Sequence, residues 1–443
     1  MLRFIRKYKG TLSVCAAALV VAGAYLAAWL PVFGEGFQIR VEEEQGSRAA
    51  LGEFALTGSV TDGRSETVFT LDQTGLSQKS RAIPPKIAEE APKFFSKRAC
   101  FLPGEVTEEE LSASPTEQEN GYQLTRQVRS LDTQLVWEVQ NNRFHYDSSD
   151  DRQVRVNTGL TYPESVCLTK STVSLFDPAP SDEEIREFLE YNYYSPEEVL
   201  RDAVFSVFSP FLESVAEAGG VTYFVPTVSE KWEGTRYIYR VDRSEKWADT
   251  AFLNASEPIG QATPVIEVRR GKDLNIWGLY ATLDGTLVLV GEYQGAPIFQ
   301  MYNPETGEIT GEVTAERLDL YDATTFRFFP QENGFCAGFA DEDTETSTLV
   351  SIQNDGGWRK MQPVRQVPFY LEHAMSEGEN LAAIGRKDRI VRTRNAVFGA
   401  VWDRAGLAYQ VHLSTPIRQD ENYEGGEHRY LEGFQVERRG SRD

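Results

Sequence analysis

The sequence predicts a mainly β chain of repeated four-stranded antiparallel sheets, held behind one apolar N-terminal segment. Three observations predict it. Short β-branched and aromatic runs alternate with Gly, Asp and Asn turns. Groups of such strands recur about every 45 residues. An uncharged stretch runs from Gly10 to Gly34, directly after Arg3, Arg6, Lys7 and Lys9.

The first element is that stretch. About 20 apolar residues cross a bilayer's hydrocarbon core, so Thr11–Phe33 is long enough to span it as a helix with its backbone groups paired internally. Four basic residues precede it and Glu35 follows, a bias that keeps residues 1–9 cytoplasmic and sends the rest across the membrane. The competing reading is a secreted chain, with Leu12–Val21 as the core of a cleaved signal and Ala22-Gly23-Ala24 as the cut site. The apolar run continues through Tyr25–Phe33, which favours a retained signal anchor over 10–34, a juxtamembrane segment over 35–50, and a single-pass cell-membrane protein.

Strands follow. Phe54–Val60 and Thr67–Leu71 flank the tight turn Asp62-Gly63, and Leu124–Val128, Gln134–Val139 and Gln153–Val156 keep the rhythm. Thr222–Val225, Tyr237–Val241 and Val265–Val268 continue it. The pattern is clearest in the C-terminal half. Trp277–Leu283, Thr286–Glu292, Pro297–Tyr302 and Ile309–Val313 form one meander. Phe326–Phe329, Gly334–Phe339, Ser347–Ile352 and Arg359–Gln362 form a second. A third runs from Tyr370 through Asn380–Gly385, Arg389–Arg394, Val397–Asp403 and Leu407–Ser414.

In strand number and period these units resemble the blades of bacterial β-propellers, which implies a propeller-like extracytoplasmic domain over 51–415. No blade signature repeats in register, and tandem β-sandwiches would give similar spacing. Residues 416–443 read as a polar C-terminal tail. Gly36–Arg40 and Gly433–Glu437 echo one another, as first and last strands that pair at a ring closure would.

Two stretches interrupt the β texture. Pro84–Gly121 is rich in Pro, Glu and Ser and reads as a long surface loop, with a capping box at Thr107–Glu110 before a short helix. Residues 181–219 change period to that of helices. Ser181-Asp182-Glu183-Glu184 and Ser195-Pro196-Glu197-Glu198 are capping boxes, and Gly219-Gly220 reads as a stop. Ile185, Phe188 and Leu189 share one face of the first helix. Val199, Leu200, Ala203, Val204 and Val207 share a face of the second, which Phe208, Phe211, Leu212 and Val215 extend and which Phe205 widens beyond one stripe; together they predict an inserted helical hairpin.

Composition bounds the function. At 41% hydrophobic and 12% aromatic the chain is a folded protein rather than a disordered stalk. Beyond residue 33 it carries 41 Lys+Arg against 67 Asp+Glu, a formal charge of −26. Such a field repels nucleic acids and anionic polymers and draws cations or basic partners. Cys100, Cys167 and Cys336 lie outside the apolar segment among apolar neighbours, as buried free thiols do, and none has metal-ligand spacing with another.

Motifs for chemistry are sparse. His145, His373, His412 and His428 are isolated, and no nucleophile elbow, Walker sequence or dinucleotide fingerprint occurs. Ca²⁺ prefers six to eight oxygens. Asp147, Asp150 and Asp151, and separately Asp341, Asp343 and Glu345, gather carboxylates that could serve it as the one candidate cofactor. Tyr191, Tyr193 and Tyr194 at the corner of the hairpin, with Phe205, Phe208 and Phe211 on its second helix, are the candidate partner-binding residues. These observations lead to the expectation of a membrane-tethered, non-catalytic recognition or scaffold module that binds a protein or ligand at the cell surface. The alternative is a carbohydrate-active hydrolase that works with two carboxylates in a cleft of the propeller.

Overall fold

The computed structural model describes residues 39–61, 65–82, 99–103, 108–116, 121–129, 133–139, 152–157, 166–174, 180–192, 211–212, 215–226, 228, 235–243, 260–318, 324–341, 346–361, 365–386, 396–414 and 430–439. The predicted span over 10–34 lies outside them. Among the described residues no helix is long and apolar enough to cross a membrane. The chain divides into two compact units, the first of Met1–Ile87, Asp319–Asn354 and Arg359–Asp443, the second of Ala88–Leu318 and Asp355–Trp358.

Strands dominate from the start. They are β1 (Arg40–Gly46), β2 (Phe54–Thr61), β3 (Ser65–Asp72) and β4 (Gly75–Ala82), with a 3-10 turn at Arg48–Leu51. There follow β5 (Ala99–Pro103), β6 (Glu108–Thr116), β7 (Gly121–Arg129), β8 (Thr133–Val139), β9 (Arg152–Asn157), β10 (Val166–Ser174) and the helix α1 (Asp182–Asn192). Next come β11 (Phe211–Leu212), β12 (Val215–Ala218), β13 (Val221–Phe224), β14 (Tyr237–Arg243) and β15 (Gly260–Glu267). The predicted first meander is β16 (Asn275–Ala281), β17 (Leu287–Tyr293), β18 (Ala296–Tyr302) and β19 (Ile309–Thr314). The second is β20 (Thr324–Gln331), β21 (Gly334–Asp341), β22 (Thr346–Asn354) and β23 (Trp358–Lys360), with β24 (Arg365–Val367) added on β22. The third is β25 (Tyr370–Glu377), β26 (Asn380–Arg386), β27 (Ala396–Asp403) and β28 (Gly406–Ser414); the expected strand at Arg389–Arg394 lies outside the described residues. A last strand, β29 (Tyr430–Arg438), falls inside the segment read as a polar tail.

The chain is mainly β, built from several four-stranded antiparallel sheets consistent with a propeller-like arrangement. In the first unit, β20-β21-β22-β23 is followed by β25-β26-β27-β28, which β1 extends, and then by β29-β2-β3-β4. The C-terminal strand thus completes a sheet begun near the N-terminus. The pairing differs from the one the sequence echo suggests: β29 lies against β2, whereas Arg40 opens β1 against β28.

Adjacent sheets of this unit share their cores. Leu56, Phe69, Leu71 and Val436 bury against Ile384, Val401 and Val411. Phe329, Cys336 and Leu349 bury against Leu371, Ala383 and Trp402. Each large apolar side chain so buried contributes about 1.5–3 kcal/mol. Two glycines make room at these seams. A Cβ on Gly338 would lie 2.5 Å from Leu371 Cδ2, and one on Gly399 would lie 2.3 Å from Leu56 Cδ1. A leucine of each sheet therefore enters a notch on its neighbour.

In the second unit, β16–β19 shares a core with β12–β15 through residues such as Ile238, Ile266, Leu279 and Leu289. The segment Pro84–Gly121 is corrected here, because β5 and β6 lie within it. Its expected capping box runs straight into β6, all nine residues of which pair with β7. Leu111 and Ala113 alternate with polar residues at period two and pack on Leu124, Ile185 and Leu189, which favours strand over helix.

The hairpin reading holds for one helix. In α1, Ser181 N–H and Oγ both meet Glu184 Oε2, at 2.7 and 2.8 Å, and Glu184 N–H reaches back to Ser181 Oγ. Ile185 and Leu189 are its buried face. The centre of the expected second helix lies outside the described residues, but Phe211–Leu212 and Val215–Ala218 are strands. The Gly219-Gly220 pair is a hairpin turn rather than a helix stop. Both residues have positive φ, 57° and 76°, between the directly paired Ala218 and Val221.

Candidate functional site

The structure brings few of the sequence candidates together. Asp147, Asp150, Asp151, Asp343 and Glu345 lie outside the described residues, and Asp341 closes β21, paired with Thr324 and Thr346. Among the described residues no group of three or more His, Cys, Asp and Glu is placed to hold a metal. Tyr193, Tyr194, Phe205 and Phe208 lie outside as well. Tyr191 lies in the last turn of α1 and is 91% exposed. Phe211, expected on a helix, is in β11 with its backbone opposite Cys100.

The described histidines and cysteine have structural roles. His412 stacks on Phe398 with ring centroids 4.7 Å apart, and its Nδ1 lies 3.2 Å from Glu42. His373, on β25, accepts a 3.1 Å hydrogen bond at Nδ1 from the Val436 N–H of β29 and packs on Phe329. Burial holds its pKa down at about 4, only partly opposed by Glu437. Cys336 is fully buried, and burial pushes its thiol up to about 11. Such a thiol is neither a nucleophile nor a redox sensor at neutral pH.

A charged cluster that the sequence did not single out lies on β20 of one sheet and on β25 and β26 of its neighbour in the first unit. Leu371 pairs with Gly385 and His373 with Ile384, so Glu372 is the extra residue of a β-bulge. The bulge is fixed on both sides. The Leu371 side chain fills the Gly338 notch, and its N–H donates to Ser347 Oγ at 3.1 Å. Bulges re-aim the side chains beside them, often next to active sites. Here Glu372 faces the adjacent sheet, where Arg327 Nη1 donates to its Oε2 at 2.5 Å. Arg386, at the end of β26, forms an ion pair with Oε1 through Nη2.

Arg327 also lies over the Tyr370 ring, 4.8 Å from its centroid. Burial alone would lower the Arg327 pKa, but Glu372 and Tyr370 outweigh it and the net shift is upward. Side-chain exposure falls from 29% at Arg327 to 14% at Arg386 and 12% at Glu372, so Arg327 is the most exposed of the three. Arg386 Nε is buried without a hydrogen bond. A buried unsatisfied group costs about 1–3 kcal/mol.

A second carboxylate between two arginines, in the other unit, provides the contrast. Glu312 lies 3.9 Å from Arg269 and 3.4 Å from Arg270, whose side chains are 54% and 38% exposed. Gln300 Nε2 donates to Glu312 and to the Arg269 carbonyl, and its Oε1 accepts from Tyr302 O–H. That network is satisfied, and its ion pairs are long, exposed and weak. It closes a strand junction, while the Glu372 cluster keeps unused hydrogen-bonding capacity.

No motif in the local sequence marks the cluster. Arg327 is the single charge of β20 and Glu372 is one of two carboxylates in β25, and only the bulge and the meeting of two sheets unite them. A partial signal existed in Phe369–Met375, where a carboxylate interrupts an apolar run.

No known protein family and no curated protein sequence matches the chain. Solved structures similar to it include a protein of Lactobacillus plantarum, at 12% identity over 86% of this chain and 99% of that one, with a TM-score of 0.32. Puromycin hydrolase matches at 9% identity over 80% of this chain and 51% of its own, TM-score 0.28. Dipeptidyl peptidase 4 of Porphyromonas gingivalis matches at 9% over 84% and 52%, TM-score 0.27. The chain spans about half the length of each of these two enzymes. Both are hydrolases by name, against the expectation of a non-catalytic recognition or scaffold module. At such TM-scores the likeness says nothing further about the reaction of this chain.

Proposed function

We propose that this chain is a carbohydrate-active hydrolase, with Glu372 as one of the carboxylates it works with. The observation that carries this reading is the bulge that turns Glu372 out of its strand ladder, between guanidinium groups of two sheets and beside an aromatic ring. Glycoside hydrolysis passes through a positively charged, oxocarbenium-like state and needs carboxylates rather than an activated hydroxyl or thiol. Two other described groups that could serve hydrolysis are committed elsewhere. The Cys336 thiol is buried and protonated at neutral pH. The His373 Nδ1 is occupied by a backbone N–H. Arg327 and Arg386 fix the orientation of the Glu372 plane as a transition-state contact requires.

The uncharged stretch 10–34 supports a second part of the proposal. It would tether the enzyme at the outer face of a membrane, where extended glycans are accessible. The test is release of reducing ends from a panel of neutral and acidic oligosaccharides by the purified chain without residues 1–34, alongside the detergent-solubilised full chain. Turnover of at least one class is expected. A panel left intact by both preparations would overturn the reading.

A further inference from the structure

We infer that β1 is a releasable strap whose grip on the sheet β25–β28 tightens as His412 takes up a proton, a pH response that lies outside the hydrolase reading. Three features carry the inference. The first is the way β1 is held. Its flanks are anchored: Ile39 and Leu51 are buried in the core shared with Leu56, Ile384 and Val411. The Gln78 amide also clamps the Ile39 backbone, accepting from its N–H at 2.8 Å and donating to its carbonyl at 2.6 Å. Between these anchors six of the seven β1 residues are exposed and Val41 is half-buried. Peeling the middle of β1 from β28 therefore costs ladder hydrogen bonds and polar ties but little apolar burial.

The second feature is the placement of charge. Val41 pairs with Leu413 and Glu43 with His412, so Glu42 is the extra residue of a bulge, and its Oε2 lies 3.2 Å from His412 Nδ1. Glu43 stands directly across the ladder from the same imidazole. On its other side His412 lies flat on Phe398, with centroids 4.7 Å apart and planes 2° from parallel. Phe398 in turn stacks on Phe369, and β27 carries no charge between Ala396 and Trp402. Two carboxylates and the negative face of an aromatic ring each favour the imidazolium. Arg40, opposite Ser414, is the one cation of β1 and opposes them.

The third feature is a tie that does not respond over the same range. Arg48 gives Nε and Nη2 to the Glu44 carboxylate, both at 2.7 Å, and the Tyr409 O–H donates to it at 2.6 Å. These bonds hold Glu44 below the usual carboxylate range, while burial, with Glu44, holds Tyr409 above the usual tyrosine range. Between pH 6 and pH 8 that tie stays constant, and histidine is the side chain that ordinarily changes charge there. The imidazolium is favoured in the paired strand, so the extra grip is present at the lower pH and is lost as the pH rises. His373, in the same sheet, works in the opposite sense, because burial favours its neutral form. Where 10–34 tethers the chain, β1 is the first strand to bear the pull.

Amide exchange of the detergent-solubilised full chain at pH 6 and pH 8, corrected for intrinsic rates and read by peptide mass, tests this. An exposed ion pair is weak, so the protection of β1 is expected to be about threefold greater at pH 6, while that of β26 does not rise. His412→Phe keeps a ring on Phe398 and cannot take up a proton, and its β1 protection should be the same at both pH values. Glu42→Gln, altered at a side chain 53% exposed, keeps the fold and should lose most of the response. Equal or lower β1 protection of wild type at pH 6, a threefold response that persists in His412→Phe, or an undiminished one in Glu42→Gln would each overturn the inference.

Discussion

Acidification from pH 7 to pH 5 weakens the first unit through His373. In the folded chain burial holds this imidazole at a pKa of about 4, against 6.5 for an exposed histidine. The folded value is the lower one, so the unfolded chain binds the extra proton. The stabilisation is complete above about pH 6.5 and is lost as the pH falls towards 4. At pH 5 the unfolded residue is almost fully protonated and the folded one almost neutral, which removes about 2 kcal/mol, rising to about 3 kcal/mol below pH 4. The contact at stake joins two sheets, because the neutral Nδ1 accepts the Val436 N–H. Protonation would set two donors against each other. Carboxylates with lowered values, such as Glu44 beside Arg48 and Asp72 beside Thr74, lose their contributions only at lower pH. The assay is urea unfolding of wild type and His373→Asn at pH 7 and pH 5, since the Asn amide oxygen offers an acceptor near the Nδ1 position. The variant is less stable at pH 7 for want of ring packing on Phe329. Between the two pH values wild type should lose about 2 kcal/mol more than the variant does. Parallel losses would refute the assignment of a buried neutral imidazole.

Three further outcomes follow from the same geometry. Gly385→Ala places a Cβ 2.0 Å from the Tyr370 carbonyl oxygen and 2.8 Å from the Phe369 ring, so β25 and β26 must separate. A loss of about 3 kcal/mol in thermal or urea unfolding is expected, and a loss under 0.5 kcal/mol would mean the strands pack more loosely than this. A thiol reagent should leave Cys336 unmodified in the native chain and label it in urea, as peptide mass mapping would report; fast native labelling would contradict its burial. Ser181→Ala removes the reciprocal cap of α1 and should speed amide exchange in its first turn while the sheets keep their protection. Unchanged exchange there would show the cap to be idle.

What the sequence made legible was periodicity. The meander from Asn275 to Thr314 was readable because Asp284-Gly285 and Asn303–Gly307 are turns whose chemistry is local, with Gly285 at φ 87° and Gly307 at 73°. Capping at Ser181 was readable for the same reason. The errors arose where tertiary contact outweighs local preference. Thr107–Glu110 satisfies a capping-box pattern, yet the pairing of β6 along β7 commits it to strand. Gly219-Gly220 suits a helix stop and a two-residue hairpin equally well, and the ladder between β12 and β13 decides. The Glu372 cluster was illegible because its members lie on strands of two sheets, and the bulge that aims Glu372 depends on the Gly338 notch. No spacing rule in one dimension encodes that.

The central claim, that Glu372 works on substrate rather than only tying two sheets together, is tested most directly by the turnover rate of Glu372→Gln. The amide keeps the shape and one acceptor for Arg327 while removing the charge. On whichever oligosaccharide wild type hydrolyses, kcat/KM should fall by about a thousandfold or more, with the melting temperature within a few degrees of wild type. A folded variant that retains wild-type kcat/KM to within threefold would contradict the account and leave Glu372 a structural ion pair.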